Sequence, residues 1–413
     1  MRKKSGIALA AACALAYATA LPAYAESDNS SDSGLVGEYI VVFEDNVDAQ
    51  SLIQEHVQKL GIDLGSVYRS ALQGYSAVMP EAVKNLIADA PGVAYVQPDR
   101  EVHTTAQATP TGINRAGADE SPTADIDGTD QRTNVDVAVI DTGVDLDHPD
   151  LNVYEEGAKS CSLLGLSAND NNGHGTHVAG TIGALDNGTG VVGMAPGARI
   201  WPVKVLNALG SGTTSDVICG IDYVAAHADR IEVANMSLGG SGADDGNCGN
   251  TNGDAQHQAI CNAVSKGVTF VVAAGNSSKD AGTFAPAAYD EVITVSALAD
   301  FNGRPGGGAA STCRADVDDT FADFSNFGSD VDLIAPGTCI RSTWMNGGYD
   351  TISGTSMASP HVAGGAALYT ANHPNATPQQ VKSALQNAGT LDWTWPSEDQ
   401  DGTQEKLLDV SGF

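Results

Sequence analysis

Apolar and polar positions change rhythm along the 413-residue chain. Between Glu38 and Val102 short apolar runs alternate with amphipathic stretches. Tyr39-Ile-Val-Val-Phe43, Tyr75-Ser-Ala-Val-Met79 and Val93-Ala-Tyr-Val96 predict strands, and 48–60 and 81–88 predict helices with apolar residues near 3.6 spacing. Together they predict a small α+β unit. From about residue 133 the apolar runs become more continuous. Val135-Asp-Val-Ala-Val-Ile140 predicts a buried strand, as do 200–206, 231–236, 268–273 and 292–297. Helices are expected over 174–184, 213–227, 254–266 and 355–371. Strands alternating with helices predict an α/β fold, a mainly parallel sheet flanked by helices on both faces. The Gly- and Asp-rich segments 240–254 and 302–320 read as surface insertions.

The first 25 residues read differently. Arg2, Lys3 and Lys4 precede an apolar stretch from Ile7 to Ala20, and Ala23-Tyr24-Ala25 forms an A-x-A site. This is the pattern of a signal peptide cleaved before Glu26, so the product is expected to be secreted and extracellular. The apolar run is shorter than the ~20 residues a membrane span needs. Cysteine usage agrees with export. Cys13 leaves with the leader, and the six that remain allow 15 disulfide connectivities. The pairing Cys161–Cys219, Cys248–Cys261 and Cys313–Cys339 is expected, although local sequence supports only the second, which closes a short polar loop. No C-x-x-C spacing suggests zinc.

Charge narrows the partners. With 51 acidic and 20 basic residues the net charge is −31, which disfavours nucleic acid and anionic membranes as partners. A 42% apolar content is too high for a mainly disordered acidic chain.

Three short stretches carry candidate chemistry. Asp141-Thr-Gly143 follows the strand ending at Ile140. His174-Gly-Thr-His-Val-Ala-Gly180 opens a helix, and Gly354-Thr-Ser-Met-Ala-Ser-Pro-His361 opens another. An acid, a base and a hydroxyl in the order Asp, His, Ser, separated by 33 and 182 residues, form one of the known triad orders. At these residues the chain resembles secreted subtilisin-type (subtilase) serine endopeptidases, over nearly its whole length.

The resemblance implies a subtilisin-like catalytic domain preceded by a ferredoxin-like inhibitory prodomain. Ser356 would be the nucleophile, His174 the base and Asp141 the residue that orients the imidazole. Asn276, in Ala273-Ala-Gly-Asn276, would supply an oxyanion donor beside the Ser356 N–H. Ser237, Leu238 and Gly239 would form one wall of the pocket for the residue before the scissile bond, and Ala273, Ala274 and Gly275 the other. Gly210-Ser-Gly-Thr213 would be the opposing edge of the cleft, with Phe284 at the pocket floor. Walls without an ion predict broad specificity for apolar or aromatic side chains.

The resemblance also implies structural Ca2+ and no organic cofactor. The main site would use the side chains of Gln107, Asp150 and Asn187 and the carbonyls of Leu185, Thr189 and Val191. A second, weaker site would use the carbonyls of Ala287, Tyr289 and Val292 with Asp332. The Gln107 match places maturation between Thr105 and Ala106. The expected domains are therefore a signal peptide at 1–25, a propeptide at 26–105 whose folded part spans about 38–102, and a mature peptidase domain at 106–413. Residues 1–105 carry 7 basic and 13 acidic residues, so the mature part keeps a net charge of −25. The expected partners are polypeptide substrates and the chain's own propeptide as folding helper and inhibitor, with a monomeric mature enzyme. A catalytically silent, calcium-binding scaffold of the same fold is the alternative. His177 is expected to pack structurally. His56, His103, His227, His257 and His373 read as surface or linker residues, and Asp244-Asp245 and Asp318-Asp319 as solvated loop charges.

Overall fold

The computed structural model describes residues 36–44, 47–99, 106–161, 167–395 and 401–413. The leader and the bond after Thr105 lie outside them. The chain divides into two compact units, Met1–His103 and Thr104–Phe413.

In the first unit four strands form an antiparallel sheet in the order Asp63–Tyr68, Gly74–Pro80, Val36–Phe43, Val93–Pro98. Helices Ala49–Leu60 and Glu81–Ala88 complete a β-α-β-β-α-β unit, the ferredoxin-like pattern. The first helix is bounded by local chemistry: Asp48 accepts from the Ser51 N–H at its start, and Gly61 ends it in the left-handed conformation. Val41, Tyr75, Met79 and Ile87 fill the core. His56 is buried and bonds the Tyr75 hydroxyl at 2.8 Å, so it is a core residue and not a surface one.

The second unit is built on an eight-stranded sheet. Its order is Thr320–Phe321, Ile293–Ala299, Thr269–Ala273, Val233–Met236, Asp136–Asp141, Arg199–Lys204, Lys159–Ser160, with Leu333–Pro336 also pairing with Ile293–Ala299. All of these pairings are parallel except that of Thr320–Phe321. The continuous apolar run at 137–140 is explained by cover on both faces. Val137 and Val139 enter one core cluster, Ala138 and Ile140 the other. Strand Asp136–Asp141 has Arg199–Lys204 on one side and Val233–Met236 on the other. Its C-terminal end is thus a point where connections diverge, the usual place for a site in an open α/β sheet.

Two of the elements follow from turn and cap signals and not from apolar rhythm. Hairpin Ile340–Trp344/Gly348–Ile352 turns at Asn346 and Gly347, both with positive φ. Helix Pro378–Ala388 starts at a capping box between Thr377 and Gln380. All three expected disulfides are formed, Cys161–Cys219, Cys248–Cys261 and Cys313–Cys339. The 302–320 segment is less peripheral than its composition suggests. Asp318 and Asp319 are buried, Asp318 accepting from the Phe301 and Ala309 N–H groups and Asp319 from Arg115.

Candidate active site

Asp141 ends the central strand and is fully buried. Its Oδ1 accepts from the Thr142 N–H at 2.7 Å and faces His174 Nδ1 at 2.8 Å. His174 opens helix His174–Gly183, and its side chain is a quarter exposed. The approach is close because position 175 is glycine: a Cβ there would lie 2.0 Å from the Gly143 carbonyl. Burial of the imidazole works against its protonation. The Asp141 charge and hydrogen bond, with Asp170 beyond, outweigh that and raise His174 above its ordinary 6.5.

Asp170 carries none of the sequence motifs, yet it organises this corner. Its carboxylate accepts from Thr142 Oγ1, the N–H groups of Asn172, Gly173 and Thr176, and Thr176 Oγ1, tying the Asp141 loop to the first turn of the His174 helix. The signal in the sequence is an Asp followed by Asn, Asn and Gly before a helix start. Lys204 is also buried here, its ammonium bonding the Thr142 carbonyl and Asn171 Oδ1. Burial pulls its pKa down, against the charges of Asp170 and Asp141.

Ser356 lies in the first turn of helix Thr355–Asn372. The first N–H groups of a helix have no intrahelical partner, and they form its positive end. Asn276 Oδ1 accepts from both the N–H and the hydroxyl of Thr355, at 2.8 and 2.9 Å, which fixes the side chain. A Cβ built on Gly354 would lie 3.5 Å from Asn276 Nδ2 and 3.6 Å from the Ser356 nitrogen. The absent side chain leaves space between two N–H donors, where a developing oxyanion can sit. The Ser356 hydroxyl itself donates to the Ser237 carbonyl at 3.3 Å.

His174, Asn276, Thr355 and Ser356 border one cleft of about 590 Å³. Gly210–Thr213 form one edge, and Ser237, Leu238, Gly239, Ala273 and Gly275 the pocket walls. Phe284 meets both walls. A Cβ on Gly239 would lie 2.4 Å from its ring and one on Gly275 3.1 Å from it. Ala274 is placed differently from the expectation: it is fully buried in the core behind the wall, because neighbouring side chains of an extended segment point to opposite faces. His174 is the one ionisable side chain among the described residues lining the cleft.

The six residues of the expected main calcium site converge on the loop at 185–191. Asp150 is buried and accepts from the Val191 N–H, Tyr349 Oη and Asn187 Nδ2. Gln107 spans the same loop, accepting from the Gly188 N–H and donating to Asp186. The carbonyls of Leu185, Thr189 and Val191 accept no hydrogen bond from the described residues, as metal-binding carbonyls should not. A buried carboxylate beside unbonded carbonyls fits a hard cation. Burial pushes Asp150 up, which a cation would reverse.

The second site differs from the expectation. Asp332 Oδ2 and the Val292 carbonyl both take the Lys382 ammonium, at 2.8 Å each. The Ala287 carbonyl takes Thr294 Oγ1, and the Tyr289 carbonyl the Val292 N–H. A lysine thus occupies the cation position these oxygens define.

His177 packs as expected, buried, with Nε2 on the Ile340 carbonyl and its pKa pushed down to about 3 by burial. His257 does not follow its expectation: it is fully buried and not a surface residue.

The family models give this geometry its relatives. Residues 132–412 match the subtilase family and residues 38–105 the I9 family of peptidase inhibitors. Subtilisin NAT of Bacillus subtilis subsp. natto is 37% identical over 86% of this chain and 85% of its own length. An extracellular serine proteinase of a Thermus species is 38% identical over 84% of each. A crystal structure of a cold-adapted subtilisin-like serine proteinase is 36% identical, with a TM-score of 0.54, over 73% of this chain and 97% of that one. The chain therefore belongs to the subtilase family, a serine endopeptidase carrying an I9-type inhibitor domain before its catalytic domain.

Proposed function

We propose that the protein is a secreted, calcium-stabilised serine endopeptidase that matures itself and cleaves polypeptides after apolar or aromatic residues. The single observation that supports this best is the Asp141–His174 hydrogen bond at the edge of a cleft that Ser356 and Asn276 also line. Ser356 Oγ attacks the scissile carbonyl as its proton passes to His174 Nε2. The imidazolium is held by ionised Asp141 and returns the proton to the leaving amine. Asn276 Nδ2 and the Ser356 N–H take the negative oxygen, and losing one such donor costs about 100- to 1,000-fold in rate. Water then hydrolyses the acyl-enzyme through the same base. Apolar walls and the Phe284 ring favour a large apolar side chain before the cut bond.

Gln107, Asp150, Asn187 and the carbonyls of Leu185, Thr189 and Val191 would hold a calcium ion that cross-links the 185–191 loop to the segment after Ala106. The first unit acts as folding helper and inhibitor until the chain is cut between Thr105 and Ala106. Intact mass and casein hydrolysis after export test the reading. Wild type should lose residues before Ala106, cut casein, and lose active lifetime on chelation, while Ser356→Ala stays unprocessed and silent. Correct processing without casein hydrolysis would return the silent-scaffold alternative.

A further inference from the structure

The segment 242–254, within the insertion at 240–254, forms with the helix after it a cluster that the proteolytic reading does not use. His257 sits in the first turn of helix Ala255–Ser265 and is fully buried. Its ring stacks on Tyr289 at 4.0 Å, and its Nε2 lies 2.8 Å from Glu291 Oε2. In the neutral imidazole Nε2–H donates a hydrogen bond to the Glu291 carboxylate, and Nδ1 then keeps the lone pair. That nitrogen is buried and has no hydrogen-bond partner among the described residues. It points at Asp244 Oδ1 and Asp245 Oδ1, 3.9 and 3.8 Å away.

Three acceptors converging with no donor between them repel one another. A metal cation held among them would relieve this. Ligands bonded at about 2.1 Å stand about 3.0–3.5 Å apart; the three atoms lie within 4.8 Å of one another, so drawing them onto one ion needs closure of about 1 Å at the widest separation. The loop is already set for it. Asp245 is fixed by the N–H groups of Asn247, Gly249, Thr251 and Asn252, and Asp244 by those of Gly246 and Asp290. Glu291 behind the imidazole supplies the carboxylate–histidine–metal arrangement that orients ligating histidines.

We propose that His257 Nδ1, Asp244 and Asp245 form a binding site for a divalent first-row transition ion such as zinc. An imidazole ligand distinguishes it from the all-oxygen sites that suit calcium and magnesium. Ser241 and Gln256, on either side of this segment, both line the cleft, so the ion would stiffen a cleft wall.

The test uses the full chain with Ser356→Ala, which limits self-cleavage. It is stripped of metal, resaturated with calcium, and titrated with zinc by equilibrium dialysis and elemental analysis. The expected result is one zinc per chain that is absent from His257→Gln, at least tenfold weaker in Asp244→Asn, and about 10- to 100-fold weaker in Glu291→Gln. No bound zinc in the parent, or equal binding in His257→Gln and Asp244→Asn, overturns the site. Should His257→Gln lose its far-ultraviolet circular dichroism, Asp244→Asn and Glu291→Gln decide on the same criteria.

Discussion

Ser237 and Ser356 bond each other twice. Ser237 Oγ donates to the Ser356 carbonyl at 2.8 Å, and Ser356 Oγ donates to the Ser237 carbonyl at 3.3 Å. The first bond exists because of Pro360. In a helix the Ser356 carbonyl would take the N–H four residues on, and Pro360 has none. Ser237 fills that gap and ties the pocket wall to the turn that carries Ser356. Asn235 extends the tie, donating to Ser237 Oγ and accepting from Ser359 Oγ.

Ser237→Ala should therefore act on the nucleophile as well as on the pocket. It leaves the Ser356 carbonyl without its partner, at a cost of about 1–3 kcal/mol. The expected outcome is a lower melting temperature and a drop in kcat on a peptide ester, larger than any change in KM. An unchanged kcat would show that the tie does not position Ser356.

The raised pKa of His174 should set the acid limb of activity. The imidazole must be neutral to accept a proton, so kcat/KM should fall as pH drops through a value above 6.5. Asp141→Asn removes the charge that opposes burial, so the limb should move to lower pH while kcat falls about 10⁴-fold. An acid limb that stays in place in the variant would mean that Asp141 does not set the titration.

Gly239→Ala should change selectivity. The new Cβ would lie 2.4 Å from the Phe284 ring and 2.7 Å from the Ala285 carbonyl, so the pocket floor and its neighbouring backbone must shift. Displacing packed atoms costs about 1–3 kcal/mol. Peptides with Phe before the cut should lose about tenfold or more in kcat/KM, and peptides with Ala there much less. Equal losses for both would place the pocket elsewhere.

Lys382→Met should unmask the second cation site. Without the ammonium, Asp332 is left partly buried with no counter-charge, a loss of about 3 kcal/mol. Added calcium should then raise the melting temperature of the variant more than that of the parent. An equal response in both would show that these oxygens do not accept calcium even when free.

Sequence was most legible where one residue type has one use. Apolar runs dictated by cover on both sheet faces placed strands 136–141 and 269–273 to within a residue or two. Asp141, His174, Ser356 and Asn276 stood beside glycines at element ends. What escaped was decided by contacts distant in sequence. Asp318 reads as a loop charge until the Phe301 and Ala309 N–H groups close on it. Lys382 lies 50 residues from Asp332 in sequence, and His257 becomes a buried residue only when Tyr289 and Glu291 are brought against it. The Asn346-Gly347 hairpin and the Pro378–Ala388 helix were missed, because turn and cap chemistry marks them and apolar periodicity does not.

That Ser356 is the nucleophile and His174 its base is tested most directly by mapping the adduct left by a serine-directed sulfonyl fluoride. The triad predicts that mass spectrometry of the digested, inactivated enzyme finds a single sulfonylated residue, Ser356, and that His174→Ala abolishes the labelling. Labelling at another residue, or loss of activity with Ser356 unmodified, would contradict it.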